Sequence, residues 1–212
     1  ACIGARLPVM ESIGNMIVDI GGGTTEVAVV SLGGVVTWKA LFVAGDELNR
    51  NIVHYAREHF GLLVGNRVAE EIKMNIGSAA ALSEPAVMPL RGRDLITGLP
   101  REVAVNDTQI REALARSVKT ILENIKMTLE MTPPELVADI YERGMVLSGG
   151  GALLKGLDEA IAKDIQIPVR IADDPMTCVV RGCGALLEKT SLLEQLALPS
   201  ATEDPPSFLL RL

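Results

Sequence analysis

The hydrophobic pattern divides the chain into alternating strand-like and helix-like stretches. Residues 14–43 read as three strands. Met16–Ile20 and Thr25–Val30 are apolar runs flanking three glycines, and Ser31-Leu32-Gly33-Gly34 forms a turn into Val35–Val43. From Asp46 to about His59 the period changes to helical, with Leu48, Ile52, Val53 and Ala56 on one face. A second helix covers about Asn66–Ile76. Residues 77–105 are broken by Pro85, Pro89, Gly92, Gly98 and Pro100, which predicts two or three small strands. Asn106 or Asp107 then caps a long helix whose apolar positions are Ile110, Leu114, Val118, Ile121, Ile125 and Leu129. Met131-Thr132-Pro133-Pro134 ends it, and Glu135–Arg143 makes a short helix closed by Gly144. A strand (Met145–Leu147), a glycine turn, a helix from about Leu153 to Asp164, a strand (Val169–Ala172) and a final helix (about Met176–Lys189) complete the pattern. The expected fold is an α/β domain carrying a small α+β insertion. The core is assigned to residues 1–44 and 107–190, the inserted unit to 45–106, and a flexible tail to 191–212, with Phe208–Leu210 as an adhesive end. Ala1 to Val9 (ACIGARLPV) reads as the end of a helix running into Pro8, so the chain is expected to begin in mid-protein.

Composition narrows the function. The 212 residues are 48% hydrophobic and only 3% aromatic, so the core is aliphatic. Net charge is 20 − 27 = −7, which argues against nucleic acid as the main partner, because phosphate backbones need a basic surface. Three cysteines, Cys2, Cys178 and Cys183, form no metal-type spacing and suit a reducing compartment, with Cys178 and Cys183 expected as packed thiols. No stretch approaches the roughly 20 apolar residues of a membrane span, and no signal peptide is visible.

The chemistry concentrates in two glycine clusters. In MIVDIGGGTTEVAVV, Gly21, Gly22 and Gly23 lie between two strands. A Rossmann loop or P-loop is followed by a helix, so both are excluded. Glycines let a turn aim successive N–H groups at one point, a concavity that binds anions, and Thr24 adds a hydroxyl. Asp19 ends an apolar strand and is costly to bury unless paired or holding a cation. Mg²⁺ with its waters suits one carboxylate beside phosphates. A tight turn with a solvated aspartate is the competing reading. The second cluster, Ser148-Gly149-Gly150-Gly151-Ala152, is expected between a strand and a helix whose N-terminal N–H groups are free; a plain strand-to-helix connection is the alternative. Taken together, the two turns could line one nucleotide cleft.

At this point the chain resembles the actin-like (ribonuclease H-like) ATPase superfamily, which also holds sugar kinases and DnaK-type chaperones. Within it the chain is most similar to the MreB-type cell-shape family. MIVDIGGGTTEVAVVSLGG, AGDELN, RVAEEIKMNIGSA, VRGRDLITGLP, TPPELVADIYERGMVLSGGGALLKGLD and ADDP carry the resemblance in family order, over about residues 1–190. It implies an ATP- and Mg²⁺-binding protein. Gly21, Gly22, Gly23 and Thr24 would hold the β- and γ-phosphates, and Asp19 would act through Mg²⁺ and its waters, making Asp19 and Thr24 the catalytic pair. Glu70 and Lys73 would contact ribose and adenine; three apart, they share a helical face, although alone they also read as an exposed ion pair. Gly149, Gly150, Gly151 and Ala152 would form the adenosine motif, and Gly45 and Asp46 would lie near the phosphates.

The resemblance further implies cytoplasmic filaments, built head to tail and associated with the membrane, that serve the cell-wall elongation machinery and direct rod shape. Membrane contact and the family's first phosphate loop, of Asp-x-Gly-Thr type, belong to an N-terminal half whose motifs are not found here. The acid that positions the attacking water would lie upstream of Ala1. By itself the chain is therefore expected to hydrolyse ATP negligibly. Arg91, Arg93 and Asp94 are candidates for a contact between subunits. Arg181 and Cys183 depart from the family pattern. Half of a chaperone ATPase, a sugar or acetate kinase, or a magnetosome or plasmid actin is the alternative, and a simple binding module is the outside option.

Overall fold

A computed structural model describes residues 1–188. Two sheets organise it. The larger is mixed and five-stranded, ordered β3-β2-β1-β7-β8: β1 (Asn15–Ile20), β2 (Thr25–Ser31), β3 (Gly34–Leu41), β7 (Met145–Ser148) and β8 (Val169–Ile171). β1 to β3 form an antiparallel meander, whereas β7 pairs parallel to both β1 and β8. The smaller sheet is an antiparallel β4-β5-β6 ribbon: β4 (Leu62–Leu63), β5 (Val87–Asp94) and β6 (Pro100–Asn106). Between and around them lie α1 (Gly45–Phe60), α2 (Asn66–Ile76), α3 (Asp107–Glu130), α4 (Pro134–Arg143), α5 (Leu157–Ile165) and α6 (Cys178–Glu188).

β1 is a near-continuous apolar run because both of its faces are covered. Met16, Val18 and Ile20 face the main core with α1, α3 and α5 residues such as Ile52, Leu114, Ile121 and Ile161. Ile17 faces a second, smaller core with Ala5, Val146, Ala172 and Cys178. The main core also includes Leu62, Leu90 and Val105 of the small sheet, so one aliphatic interior runs through both sheets.

α3 begins as its sequence demands. The Asn106 side chain accepts from the Gln109 amide at 2.9 Å, and the Gln109 side chain accepts from the Asn106 amide at 3.0 Å, a reciprocal capping box.

Several expectations need correction. The segment after the second glycine cluster is not α-helical: Gly150–Leu153 is a single 3-10 turn, and α5 starts only at Leu157. Gly156, at φ +68°, supplies the left-handed residue that breaks the two apart. Cluster amides therefore belong to a tight turn and not to a helix N-terminus. Ala1–Arg6 is a single turn, with the Ala5 amide on the Ala1 carbonyl at 2.8 Å, and it closes as a helix end does: the Arg6 and Leu7 amides donate to the Ile3 and Cys2 carbonyls, both at 3.0 Å, with Arg6 at φ +59°. β3 stops at Leu41, and α6 follows a 3-10 turn at Pro175–Thr177. The two-residue β4 carried no sequence signal. The segment 191–212, with Phe208–Leu210, lies outside the described residues.

Asn106→Ala should lower stability by about 1 kcal/mol by leaving the Gln109 amide at the α3 N-terminus without its acceptor. The shift in urea midpoint at unchanged m-value measures this, and no shift would remove the capping box from the account.

Candidate functional site: a cleft between two glycine turns

Parallel pairing of β1 with β7 sets Asp19 opposite Ser148, so both strands end at the same edge of the sheet. The two glycine turns leave from that edge. Each is shaped by a specific bond. The Gly21 amide donates to the Thr24 carbonyl at 2.8 Å, which closes the β1–β2 turn. The Gly149 amide donates to the Pro175 carbonyl at 2.9 Å. Gly149 has φ +80°, and a Cβ there would stand 2.3 Å from the Ile20 carbonyl oxygen and 2.6 Å from Asp19 Oδ1. At Gly151 a Cβ would meet Ile20 Cγ2 at 2.2 Å. The two turns thus touch through glycine backbone, at a distance no side chain would permit. Gly23 and Gly150, by contrast, face open space.

The α1 N-terminus completes one wall. Gly45 and Asp46 amides donate to the Gly21 and Gly22 carbonyls at 3.0 and 2.8 Å, and the buried Thr25 hydroxyl donates to Val43 at 2.7 Å. α2 forms the facing wall. Its Lys73 ammonium donates to the Gly45 carbonyl at 3.1 Å. Burial pushes the Lys73 pKa below the usual lysine value, against the opposing pull of Glu70 and Asp46.

Between these elements lies a cleft of about 490 Å³. Of the residues proposed from sequence, Gly21, Gly22, Glu70, Lys73, Gly150 and Gly151 line it, as do Gly45 and Asp46. Gly23 and Thr24 lie on the exposed tip of the first turn, outside the lining. Asp19 sits behind that turn, against Gly149. Gly149 acts in the close approach of the turns, and Ala152 is fully buried with its amide on the Gly149 carbonyl. Sequence reasoning missed the apolar lining: Leu48, Met74, Leu153, Leu154 and Met176. Met74 was readable, being four residues after Glu70 on the same helical face. Nothing in the pattern marks Met176, which comes from the turn after β8.

The donor set suits a polyanion. Amides of Gly22, Gly23 and Thr24 find no acceptor among the described residues, nor do those of Gly150 and Gly151. Gly22 of the first turn, Gly150 and Gly151 of the second, each with an unpaired N–H, and one lysine therefore bound a single space, with Gly23 and Thr24 at its rim, and Met74, Leu153 and Met176 offer exposed apolar surface beside them. No group of three or more His, Cys, Asp or Glu gathers among the described residues, so a divalent cation there would take most of its ligands from water or phosphate.

Comparison with known proteins follows the same lines. The MreB/Mbl protein family profile matches residues 1–195. The chain belongs to the MreB/Mbl family. It is 50% identical over 188 residues to the cell shape-determining protein MreB of Escherichia coli K12, covering 89% of this chain and 54% of that protein. With the cell shape-determining protein Mbl of Bacillus subtilis the identity is 44% over 193 residues, 91% of this chain and 58% of Mbl. The chain thus spans little more than half the length of these MreB/Mbl relatives. Among solved structures, Spiroplasma citri MreB 5 bound to AMPPNP superposes with a TM-score of 0.88 at 33% identity, covering 93% of this chain and 59% of that one. The fold is accordingly the actin-like α/β fold of MreB, and the chaperone and sugar-kinase alternatives fall away. No helix among the described residues is long and apolar enough to cross a membrane.

The glycines separate into two classes by substitution. Gly149→Ala should destabilise by about 2–4 kcal/mol through strain and overlap with Ile20. Gly150→Ala should leave the thermal midpoint nearly unchanged. Equal effects of the two in thermal unfolding would contradict the close-approach reading.

Proposed function

We propose that this chain is the nucleotide-clasping half of an MreB-like bacterial actin, built from a core of residues 1–44 and 107–190 with 45–106 as the inserted unit. The observation that carries the reading is the convergence of unpaired amides from two glycine turns, with Lys73, on one cleft. ATP would lie with its phosphates on Gly22, Gly23 and Thr24 and its adenosine along Gly150, Gly151, Glu70 and Lys73. Asp19 and the Thr24 hydroxyl would hold Mg²⁺ through its waters, and Mg²⁺ supplies neutralisation of phosphate charge. This chain's residues bind and orient; phosphoryl transfer also needs positioning from other sides. The MreB 5 relative is a nucleotide complex by its own description, which supports the assignment.

In this reading subunits stack head to tail, an arrangement that extends without closing, and the filaments direct cell shape as the relatives' names describe. The β5–β6 hairpin supports a role in that contact. Arg91 is occupied by Glu102 at 2.6 Å. Asp94 accepts from the Ile96 and Thr97 amides, both at 2.9 Å, and from Arg101 at 2.7 Å. The Thr97 amide and Arg101 hold its carboxyl well below the usual carboxylate range. These charges rigidify the hairpin. What they present is an apolar tip, with Ile96 94% exposed beside Leu95 and Leu99. The family's cell-wall partners and membrane association are expected of the complete protein.

Two experiments test these readings. ADP affinity, measured by fluorescence titration, should fall about tenfold in Lys73→Met at neutral pH. The sign with pH follows from the lowered pKa: the ammonium makes charge-assisted hydrogen bonds to the ribose and adenine only while protonated. Wild-type affinity should therefore weaken as pH rises through a value below that of ordinary lysine, and the variant should lack that slope. A variant with unchanged affinity would remove Lys73 from the site. For the filament, Ile96→Asp should reduce nucleotide-dependent sedimentation without lowering thermal stability, and sedimentation equal to wild type would exclude the hairpin tip.

A further inference from the structure

α2 carries three cleft-lining residues, Glu70, Lys73 and Met74, yet its own ends are weakly fixed. Its N-cap, Gly65, has no side-chain cap, and its first turn holds no acid. At the other end the helix breaks into extended backbone at Gly77. Its buried face, Ala69, Ile72 and Ile76, seats α2 on the core, and a contact at its exit sets its distance from the Gly150–Leu154 wall.

Lys155 makes that contact. It follows Leu153 and Leu154, which line the cleft, and grips the exit of α2 with both backbone and side chain. Its carbonyl accepts from the Ala79 amide at 2.8 Å, and Ser78 and Lys155 form an isolated parallel bridge. Its ammonium donates to the Asn75 carbonyl in the last turn of α2. That carbonyl belongs to the terminal group of a helix, which lacks intrahelical donors and carries partial negative charge. Gly156 permits the close approach, since a Cβ there would stand 2.7 Å from the Ala80 methyl. Lys73 ties the opposite wall to α2 through Gly45.

We propose that Lys155 is a positioning residue for the nucleoside part of the ligand: it fixes the width of the slot between α2 and the Gly150–Leu154 turn. The inference rests on the nucleotide reading above. Lys155 itself is exposed and does not line the cleft, so it acts through α2. The phosphate turn at Gly21–Thr24 is held by separate bonds and does not depend on it.

The test compares two probes, ADP and inorganic pyrophosphate, on wild type, Lys155→Ala and Lys155→Arg. Lys155→Ala should weaken ADP roughly three- to fivefold, the scale of one cation at a helix C-terminus, and leave pyrophosphate unchanged. Arginine should restore ADP. Unchanged ADP affinity, or parallel weakening of both probes, would overturn the proposal. Amide hydrogen exchange over residues 74–80 gives a ligand-free measurement: it should accelerate in Lys155→Ala and return towards wild type in Lys155→Arg. If ADP fails to bind wild type while exchange responds as expected, the nucleotide reading falls and the clasp stands. If exchange does not respond, the clasp falls whatever ADP does.

Discussion

Everything at the candidate site depends on one pairing, β1 with β7 in parallel. Neither glycine turn is a site alone. The first is the tip of an antiparallel meander, and the second leads from a short strand into a single 3-10 turn. Setting Asp19 opposite Ser148 brings both to the same edge. Parallel strands cannot be joined by a tight turn, so the chain between them is free to build α1, α2, the small sheet and α3. Two of those helices then return to the cleft: α1 by its N-terminus and α2 by one face. The intervening chain is thus the source of the other walls.

Contact between the turns explains why glycine recurs there for two unlike reasons. Gly149 and Gly151 are glycines because Ile20 and Asp19 occupy the space a side chain would need. Gly23 and Gly150 face open space, where the absence of a side chain leaves the backbone amides accessible. One repeated residue type therefore serves packing at some positions and exposure at others. The neighbouring carbonyls are occupied elsewhere: those of Gly21 and Gly22 accept from the Gly45 and Asp46 amides, and that of Thr24 accepts from the Gly21 amide.

Much of this was legible in the sequence, and the misses have physical causes. Long periodic elements were readable because burial sets their period: α1, α2 and α3 fall within a residue or two of expectation, and the Asn106 cap is present with its partner Gln109. The segment after Gly149 was misread as helix because Ala152-Leu153-Leu154 favours helix locally. The left-handed Gly156 and the Ala79–Lys155 bond override that preference, and both are tertiary facts. β4 escaped notice since two residues have no period. At the cleft, motif residues were readable by resemblance, and Met74 by its spacing from Glu70, but apolar lining from Leu153 and Met176 was not: exposed hydrophobic residues carry no chemical signature until the fold places them at one opening. Arg91 and Asp94 looked like contact residues by charge, whereas their charges are consumed within the hairpin.

The central claim is that the two glycine turns clasp one nucleotide. Its most direct measurement is a crystal structure of the chain grown with AMPPNP and Mg²⁺. The account predicts phosphate oxygens within hydrogen-bond distance, about 2.7–3.2 Å, of the Gly22, Gly23 and Thr24 amides, with the adenosine along Gly150 and Gly151. Nucleotide bound elsewhere on the chain, or a cleft that stays empty at saturating AMPPNP, would contradict it.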